Sequence, residues 1–189
     1  MMLPKHIKEF KTIFGNKYLA LYHVPVSFVD IKKDYYVASY GARAGVLVFR
    51  GGRVLLTKQY RLLINDYSLE IPGGKMEEGE LPEDAAIREC LEETGVLCSN
   101  LRHLVTYHPG LDNIYNPTHV FVTGDSEDTN TEGLPDNNEV AGYQWVDFDE
   151  CVDMLTNGRI ADIFSMIAIH TYLHTNYREG TTAIHSRKA

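Results

Sequence analysis

The sequence predicts an α/β (α+β) sandwich, in which a sheet packs against helices, preceded by an N-terminal β arm. Segments rich in β-branched and aromatic residues alternate with helical segments in the order strands, helix, strands, helix. Glycines mark the turns between these segments. The chain has 189 residues and is 44% hydrophobic, which is enough for one globular domain with a substantial core.

Four strands are predicted before the first helix. The pair Gly51-Gly52 is typical of a two-residue hairpin turn, so it joins the second strand to the third. The fourth strand leads into Pro72-Gly73-Gly74, where the backbone can approach a ligand or metal closely. The predicted strands cover residues 35–40, 44–50, 54–60 and 68–71.

The first predicted helix lies between Pro82 and Gly95. Proline suits the first turn of a helix, and glycine suits the residue just past the end, where a left-handed backbone is often needed. At about 100° per residue, one arc of the helix is charged and the opposite arc can pack on a core. The charged arc consists of Arg88, Glu89, Glu92 and Glu93, and the opposite arc of Ala86, Ile87, Cys90 and Leu91.

Three strands and two helices are predicted after Gly95. Asp147 and Glu150 have the spacing of a capping box that opens a helix, and Gly158 is expected to end that helix. The strands cover residues 101–107, 118–123 and 143–146, the last helix covers residues 162–175, and residues 125–138 are expected to form a polar loop.

Composition agrees with an intracellular protein, and we expect a cytoplasmic location. The net charge of -8 argues against a nucleic-acid or anionic membrane partner. Three cysteines without zinc-site spacing are expected to be reduced thiols. No apolar run reaches membrane-spanning length, and the first residues lack the apolar core of a signal peptide.

The acidic arc of the helix is suited to a divalent metal. Glu89 and Glu93 are four residues apart and Glu92 is three from Glu89, so their charges repel each other unless something offsets them. Hard cations such as Mg2+ bind carboxylates together with waters and substrate phosphates, and Arg88 can hold a carboxylate in a fork geometry. The competing interpretation is a solvated face on a structural α/β protein, but the glycine turn before the helix favours the metal.

Residues 74–96 resemble the sequence box of Nudix hydrolases. Its fixed positions are occupied here by Gly74, Glu80, Arg88-Glu89, Glu92-Glu93 and Gly95. The resemblance implies the Nudix fold, an α/β/α sandwich with a mixed central sheet, and metal-dependent hydrolysis of a pyrophosphate bond.

Weaker motifs outside the box look like the ADP-ribose pyrophosphatase branch of that family, so the similarity covers roughly residues 44–173. They are Gln59-Tyr60-Arg61, residues 69–74, His108-Pro109-Gly110 and residues 158–162. The likeness implies that Arg61 and Glu70 help to hold a nucleoside diphosphate sugar. It also implies that residues 1–43 form an arm that builds a homodimer and part of the substrate pocket, beside a Nudix hydrolase domain at residues 44–189. Tyr36 of this arm is a candidate for stacking on the base.

The resemblance also implies how the reaction proceeds. Mg2+, with Mn2+ as a possible substitute, would neutralise the phosphates and lower the pKa of a bound water. Arg88 and Glu80 would orient the metal-binding carboxylates. If ADP-ribose is the substrate, the products are AMP and a sugar phosphate. The implied ligands are the main-chain carbonyl of Gly73 and the side chains of Glu89, Glu93 and Glu92.

A general base is expected in the loop of residues 129–141, because this branch carries its base in a loop ahead of the final strand. Glu139 fits that position best, with Glu132 as its competitor. Glu92 is the alternative under a different metal arrangement. Both loop residues are equally compatible with ordinary solvated loop acids.

Two other functions are compatible with the same motifs. One is hydrolysis of a UDP- or GDP-linked sugar or another nucleoside diphosphate derivative. The other is a non-catalytic Nudix-like sensor of nucleotide sugars, although a sensor has no need to retain Glu89, Glu92 and Glu93 together.

Overall fold

The computed structural model describes residues 3–129 and 140–185, in which fourteen strands and three helices form. The helices are α1 (Pro82–Thr94), α2 (Phe148–Asn157) and α3 (Ile163–His185). The strands are β1 (His6–Ile7), β2 (Lys11–Gly15), β3 (Ala20–Ser27), β4 (Lys32–Ser39), β5 (Arg43–Arg50), β6 (Arg53–Arg61), β7 (Asp66–Glu70), β8 (Gly73–Lys75), β9 (Val96–Ser99), β10 (Arg102–Tyr107), β11 (Ile114–Tyr115), β12 (Thr118–Thr123), β13 (Asp125–Asp128) and β14 (Val140–Asp147).

The chain divides into two compact units. The small unit comprises Met1–Arg43 and Thr106–Thr118, and the large unit comprises Ala44–Val105 and His119–Ala189. The predicted division into an arm and a hydrolase domain assigns roles in assembly and catalysis, and those roles stay predictions.

The small unit contains a five-stranded sheet. Its strands run in the order β1-β3-β4-β11, and β2 also pairs with β3. Strands β3 and β4 are antiparallel, whereas β11 is parallel to β4, so the sheet is mixed. Several large apolar side chains of this unit are exposed: Ile7, Phe10, Ile13, Phe14 and Ile31.

The large unit contains a seven-stranded sheet, and its strands run in the order β10-β12-β5-β6-β14. Strand β7 also pairs with β6, and β8 with β5. The predicted hairpin between β5 and β6 is confirmed, because Arg50 lies opposite Arg53 across Gly51-Gly52. A two-stranded sheet of β9 and β13 completes the unit.

Alternation along β5 places helices on both faces of the large sheet, because successive side chains of a strand point to opposite faces. Ala44, Val46 and Val48 belong to the buried cluster that includes Ala86 and Cys90 of α1. On the other face, the Phe49 ring lies 5.4 Å from that of Phe148 in α2 and 4.4 Å from that of Tyr172 in α3, measured between centroids. The predicted fold class, a mixed α+β sandwich, is confirmed.

The predicted ends of two helices are confirmed. Pro82 is the first residue of α1, and Gly95 follows its end at φ 69°, where its N–H donates to the Leu91 carbonyl at 2.8 Å. Gly158 ends α2 in the same left-handed conformation. The predicted capping box is wrong, because the Asp147 side chain makes no capping hydrogen bond. The first N–H of α2, that of Phe148, instead donates to the Gly52 carbonyl at 3.1 Å.

The prediction of a continuous polar loop over residues 125–138 is wrong at its start. Asp125–Asp128 form β13, which pairs antiparallel with β9. Arg50 stabilises this edge, because its Nη1 donates to both carboxylate oxygens of Asp128 at 3.0 and 2.9 Å. A charged segment can therefore form a strand here, since an oppositely charged side chain pairs with Asp128, one of its three acidic residues.

The three cysteines, Cys90, Cys98 and Cys151, are free and buried, as expected of reduced thiols. Burial raises the pKa of Cys151 to about 12, and the contact with Cys98 together with burial raises the pKa of Cys90. Thiols of such weak acidity are poor nucleophiles, so we assign Cys90 and Cys151 to the packing of the core.

Candidate active site

The turn before α1 is built from two glycines that leave no room for a side chain. A Cβ on Gly73 would lie 2.6 Å from the carbonyl oxygen of Ala44, and one on Gly74 would overlap the carboxyl group of Glu89. Real Cβ atoms essentially never approach so closely. Glycine at position 74 therefore allows the Glu89 carboxylate to lie directly against the main chain of the turn.

Arg88 holds three carboxylates of the box around one guanidinium. Its Nε and Nη2 donate to the two oxygens of Glu80 at 2.8 and 3.0 Å, a bidentate pair. Its Nη1 donates to Glu89 at 2.8 Å and to Glu92 at 3.2 Å, and Nη2 also reaches the Lys75 carbonyl at 3.1 Å. The predicted fork of Arg88 is thus formed with Glu80, and the arginine also contacts two of the predicted metal ligands.

Electrostatics reinforces this cluster. Hydrogen bonds from Arg88 lower the pKa of the Glu80 carboxyl, although partial burial opposes the effect. The same bonds, chiefly the pair with Glu80, raise the pKa of Arg88 itself. The guanidinium therefore remains charged, and it offsets the repulsion that the carboxylates of α1 exert on each other.

Glu93 differs from the other acidic residues of α1 because it points into the protein. Only 8% of the residue is exposed, so the expectation that it shares an exposed acidic face is wrong. Its Oε1 accepts a hydrogen bond from Nε2 of Gln59 at 2.6 Å, and its Oε2 accepts one from the Gly73 N–H at 3.0 Å. These donors draw the carboxylate inward, because a buried charge needs hydrogen-bond partners.

Two of the predicted metal ligands meet at the glycine turn. Glu89 lies against Gly74, and Glu93 binds the main chain of Gly73, whereas half-exposed Glu92 contacts Arg88. Within residues 3–129 and 140–185, no group of three or more His, Cys, Asp or Glu side chains is arranged to hold a metal ion together. The predicted metal roles of these residues stay predictions.

Arg61 and Glu70 lie in a second part of the large unit, a cleft of about 270 Å³. Arg61 donates to both carboxylate oxygens of Glu70, and the Nε bond to Oε1 measures 2.7 Å. These bonds raise the pKa of Arg61, and the charges of Asp162 and Glu93 raise it further, whereas burial lowers it. The two residues predicted to hold substrate are therefore paired with each other and border one cleft.

Asp162 borders the same cleft, and through Ser165 it helps to hold the segment that follows β7. Its Oδ2 accepts hydrogen bonds from the main-chain N–H of Ser165 at 2.8 Å and from the Ser165 hydroxyl at 2.9 Å. The Ser165 hydroxyl in turn accepts the Ile71 N–H at 2.9 Å. The start of α3 is thus tied to Ile71, which lies between β7 and the glycine turn.

Tyr36 belongs to the small unit, where its side chain is largely exposed. Its ring stacks on His23 with centroids 5.2 Å apart and an interplanar angle of 28°. His23 is held in turn by Asp34, whose Oδ1 lies 2.8 Å from Nε2. A contact between Tyr36 and a base stays a prediction.

The two candidates for the general base, Glu139 and Glu132, lie outside the described residues. The segment that contains them is bordered by Thr129, whose hydroxyl and N–H donate to the Gly95 carbonyl at 2.7 and 3.0 Å, and by Val140, which pairs with Gln59. Thr129 thus lies at the C-terminal end of α1, and Val140 lies beside Gln59, the residue that binds Glu93.

Gln59 is the site residue that sequence reasoning missed. The sequence motif with Tyr60 and Arg61 contains it but gives it no role of its own. A signal was present, because Thr57, Gln59 and Arg61 alternate along β6 and so share a face. Polar residues that alternate along one face of a strand indicate a polar layer on that face.

Comparison with known proteins now places this site in a family. The NUDIX domain model matches residues 39–164, more than half of the chain. The chain belongs to the NUDIX family. The prediction of a Nudix pyrophosphatase, and hence of an enzyme, is confirmed at the level of this family, whose hydrolases generally use divalent metal cations.

Proteins with sequences similar to this chain have names that describe different activities. The chain is 28% identical to an ADP-ribose pyrophosphatase of Bacillus subtilis (strain 168) over 83% of this chain and 86% of that protein. It is 33% identical to a methanol dehydrogenase activator of Bacillus methanolicus over 68% of this chain and 70% of that protein. It is 31% identical to a CMP-5'-(N-acetyl-N-hydroxy-3-aminopropyl)phosphonate hydrolase of Streptomyces rubellomurinus (strain ATCC 31215) over 67% of this chain, a match that spans 61% of the Streptomyces protein.

A solved structure supports the fold. The crystal structure of an ADP compounds hydrolase superposes with a TM-score of 0.78 over 95% of this chain and 98% of that chain, at 16% identity. Among the described residues, no helix combines the length and apolar character needed to cross a membrane.

Gly74→Ala tests whether the close approach at the turn positions Glu89. We expect metal-dependent activity to fall at least about tenfold, because the new methyl group displaces the carboxylate of Glu89, a predicted metal ligand. Circular dichroism should show a folded protein. Gly124→Ala is the matched control, since a Cβ there has no atom within 4 Å, and it should leave activity unchanged. Equal activity in both variants would contradict the assignment.

Proposed function

We propose that this protein hydrolyses the pyrophosphate bond of ADP-ribose or a related nucleoside diphosphate sugar, giving a nucleoside monophosphate and a sugar phosphate. One observation carries the proposal: the carboxylates of Glu89 and Glu93 both lie against the glycine turn, and hydrogen bonds through Gln59 and Thr57 join Glu93 to Glu70 at the Arg61 cleft. Catalytic carboxylates thus adjoin a cleft that can hold the rest of the substrate.

The donor set suits a hard divalent cation. The candidate ligands Glu89, Glu92 and Glu93 and the main-chain carbonyl of Gly73 all offer oxygen atoms, which Mg2+ and Mn2+ prefer. When bound, such a cation supplies charge neutralisation for the phosphates and makes a water more acidic. The role of Arg88 is to hold Glu89 and Glu92 in place while Glu80 anchors the guanidinium.

The cleft supplies contacts for the substrate. Arg61 offers a guanidinium to a phosphate, and buried Glu70 offers acceptors for sugar hydroxyl groups. Because Arg61 already pairs with Glu70, its orientation is fixed before a ligand arrives, which reduces the entropy lost on binding.

We further propose that Tyr36 stacks on the base of the substrate. We also propose that the enzyme acts in the cytoplasm on small molecules, and that it binds neither nucleic acid nor membrane.

A panel of substrates tests the reaction. ADP-ribose and the sugars linked to CDP, UDP and GDP are incubated with Mg2+ or Mn2+, and the products are separated by chromatography. We expect ADP-ribose to give AMP and a sugar phosphate. The similarity to a CMP-linked phosphonate hydrolase favours including other bases. Turnover of a UDP- or GDP-linked sugar alone would move the substrate to that alternative, and no turnover of any compound would favour a sensor.

Glu89→Gln and Glu93→Gln test the metal-binding carboxylates. Each change should lower kcat at least about 100-fold, because removing a ligand should cost more than disturbing its hydrogen-bond partner. Glu83→Gln, on the exposed first turn of the same helix, is the matched control and should retain activity. Wild-type activity with Mg2+ in both ligand variants would refute the metal assignment.

Glu139→Gln tests the proposed general base. Removal of a general base typically costs 10²–10⁴-fold in rate, so we expect kcat to fall at least about tenfold while KM stays within a few-fold. Thermal stability should not change. Glu132→Gln is the control and should be nearly neutral. Full kcat in Glu139→Gln, with a loss in Glu132→Gln or Glu92→Gln, would transfer the role to that residue.

We also propose a homodimer formed through the small unit. This unit exposes Ile7, Phe10, Ile13 and Phe14, which are close in sequence, and several exposed large apolar residues in one segment are typical of an interaction surface. Static light scattering at micromolar concentration should give twice the mass of the chain. A monomer that is fully active at the same concentration would disprove the dimer.

A further inference from the structure

A chain of buried polar groups runs through the large sheet from the substrate cleft to α1. It begins at the main-chain carbonyl of Glu70, which accepts the Thr57 hydroxyl at 3.1 Å. The Thr57 oxygen accepts a hydrogen bond from Gln59 Nε2 at 3.3 Å, and the same nitrogen donates to Glu93 at 2.6 Å. All four residues are buried.

The chemistry of position 59 is specific. A neutral side-chain amide has one nitrogen with two N–H donors, and here both are directed at acceptors. The contact with a carboxylate fixes which end of the amide faces Glu93, since only the nitrogen can donate. A glutamate at this position would place a second carboxylate against Glu93, and an apolar residue would remove the donor from a buried charge.

Two elements therefore hold Glu93 from different directions. Gln59 of β6 binds Oε1, and the Gly73 N–H of β8 binds Oε2. A carboxylate held at both oxygens cannot rotate freely about its last bond, so the directions of its remaining lone pairs are set by the sheet. Loss of a partner of this kind typically weakens metal affinity by about 10 to 100 times.

We propose that Gln59 is a positioning residue, whose amide fixes the Glu93 carboxylate in the orientation that binds a divalent cation. This inference rests on the proposed metal-dependent hydrolysis. It gives the motif of Gln59, Tyr60 and Arg61 a second role, because Arg61 faces the substrate cleft while Gln59 orients the carboxylate beside it.

Gln59→Met tests the proposal, because methionine has similar size and no donor. Mn2+ affinity is measured without substrate, from the free-ion signal in electron paramagnetic resonance. We expect Mn2+ to bind about 10 to 100 times more weakly, the range typical for loss of a partner of a metal ligand. The metal concentration needed for half-maximal activity should rise with it, whereas KM for substrate at saturating metal should stay within about threefold.

Thr57→Val is the matched control. It removes hydrogen bonds from the same buried chain without touching Glu93, so a purely structural role predicts equal effects of the two variants. We expect Thr57→Val to keep Mn2+ affinity within about threefold of the wild type, with a thermal stability similar to that of Gln59→Met. If Gln59→Met does not fold, Gln59→Asn takes its place, because the shorter amide cannot span the same distance to Glu93.

The outcomes separate this inference from the proposed function. Wild-type protein that binds Mn2+ and hydrolyses a nucleoside diphosphate sugar, with unchanged Mn2+ affinity in Gln59→Met, overturns the role of Gln59 alone. Equal weakening in Thr57→Val overturns it as well. A wild-type protein that neither binds Mn2+ nor hydrolyses any nucleoside diphosphate sugar overturns both proposals together.

Discussion

Repulsion between neighbouring carboxylates is the constraint that shapes this site, and the guanidinium of Arg88 is the group that offsets it. Glu89 and Glu92 would destabilise α1 as bare like charges at helical spacing. Arg88 contacts both and is itself fixed by a bidentate pair with Glu80. Because Glu80 precedes the helix, this pairing also fixes the approach of the chain to α1 and hence the geometry of the glycine turn.

The Glu93 carboxylate is stabilised in a different way from those of Glu89 and Glu92. The neutral donors of Gln59 and of the Gly73 main chain hold it inside the protein. Dipoles stabilise a buried charge without neutralising it, so the carboxylate keeps its attraction for a metal ion. The site thus contains carboxylates that pair with Arg88 and one carboxylate that accepts hydrogen bonds from neutral donors.

The sequence correctly predicted the features that depend on the conformational preferences of single residues. The ends of α1 follow from Pro82 and Gly95, and the hairpin follows from Gly51-Gly52, since each residue type acts on its own backbone. The inward turn of Glu93 could not be predicted. A helical wheel gives only an angle, whereas the partner that turns Glu93 inward lies 34 residues earlier on β6. Strand β13 could not be predicted for the same reason, because Arg50, which pairs with Asp128 of this strand, lies 78 residues earlier in the chain.

The charges of the large unit also determine how a substrate can bind. Arg88 and Arg61 are both engaged by carboxylates, and Glu93 and Asp162 add further negative charge near the cleft. A pyrophosphate approaching these residues alone would meet net repulsion. In the proposed reaction a divalent cation would reverse the sign of the interaction, so that metal and substrate would each favour the binding of the other. Such coupling is reciprocal: whatever factor the metal contributes to substrate affinity, the substrate contributes to metal affinity. An enzyme of this design can bind its metal weakly when empty and firmly in the complex, since the ligands lacking in the free site are supplied by the phosphates of the substrate.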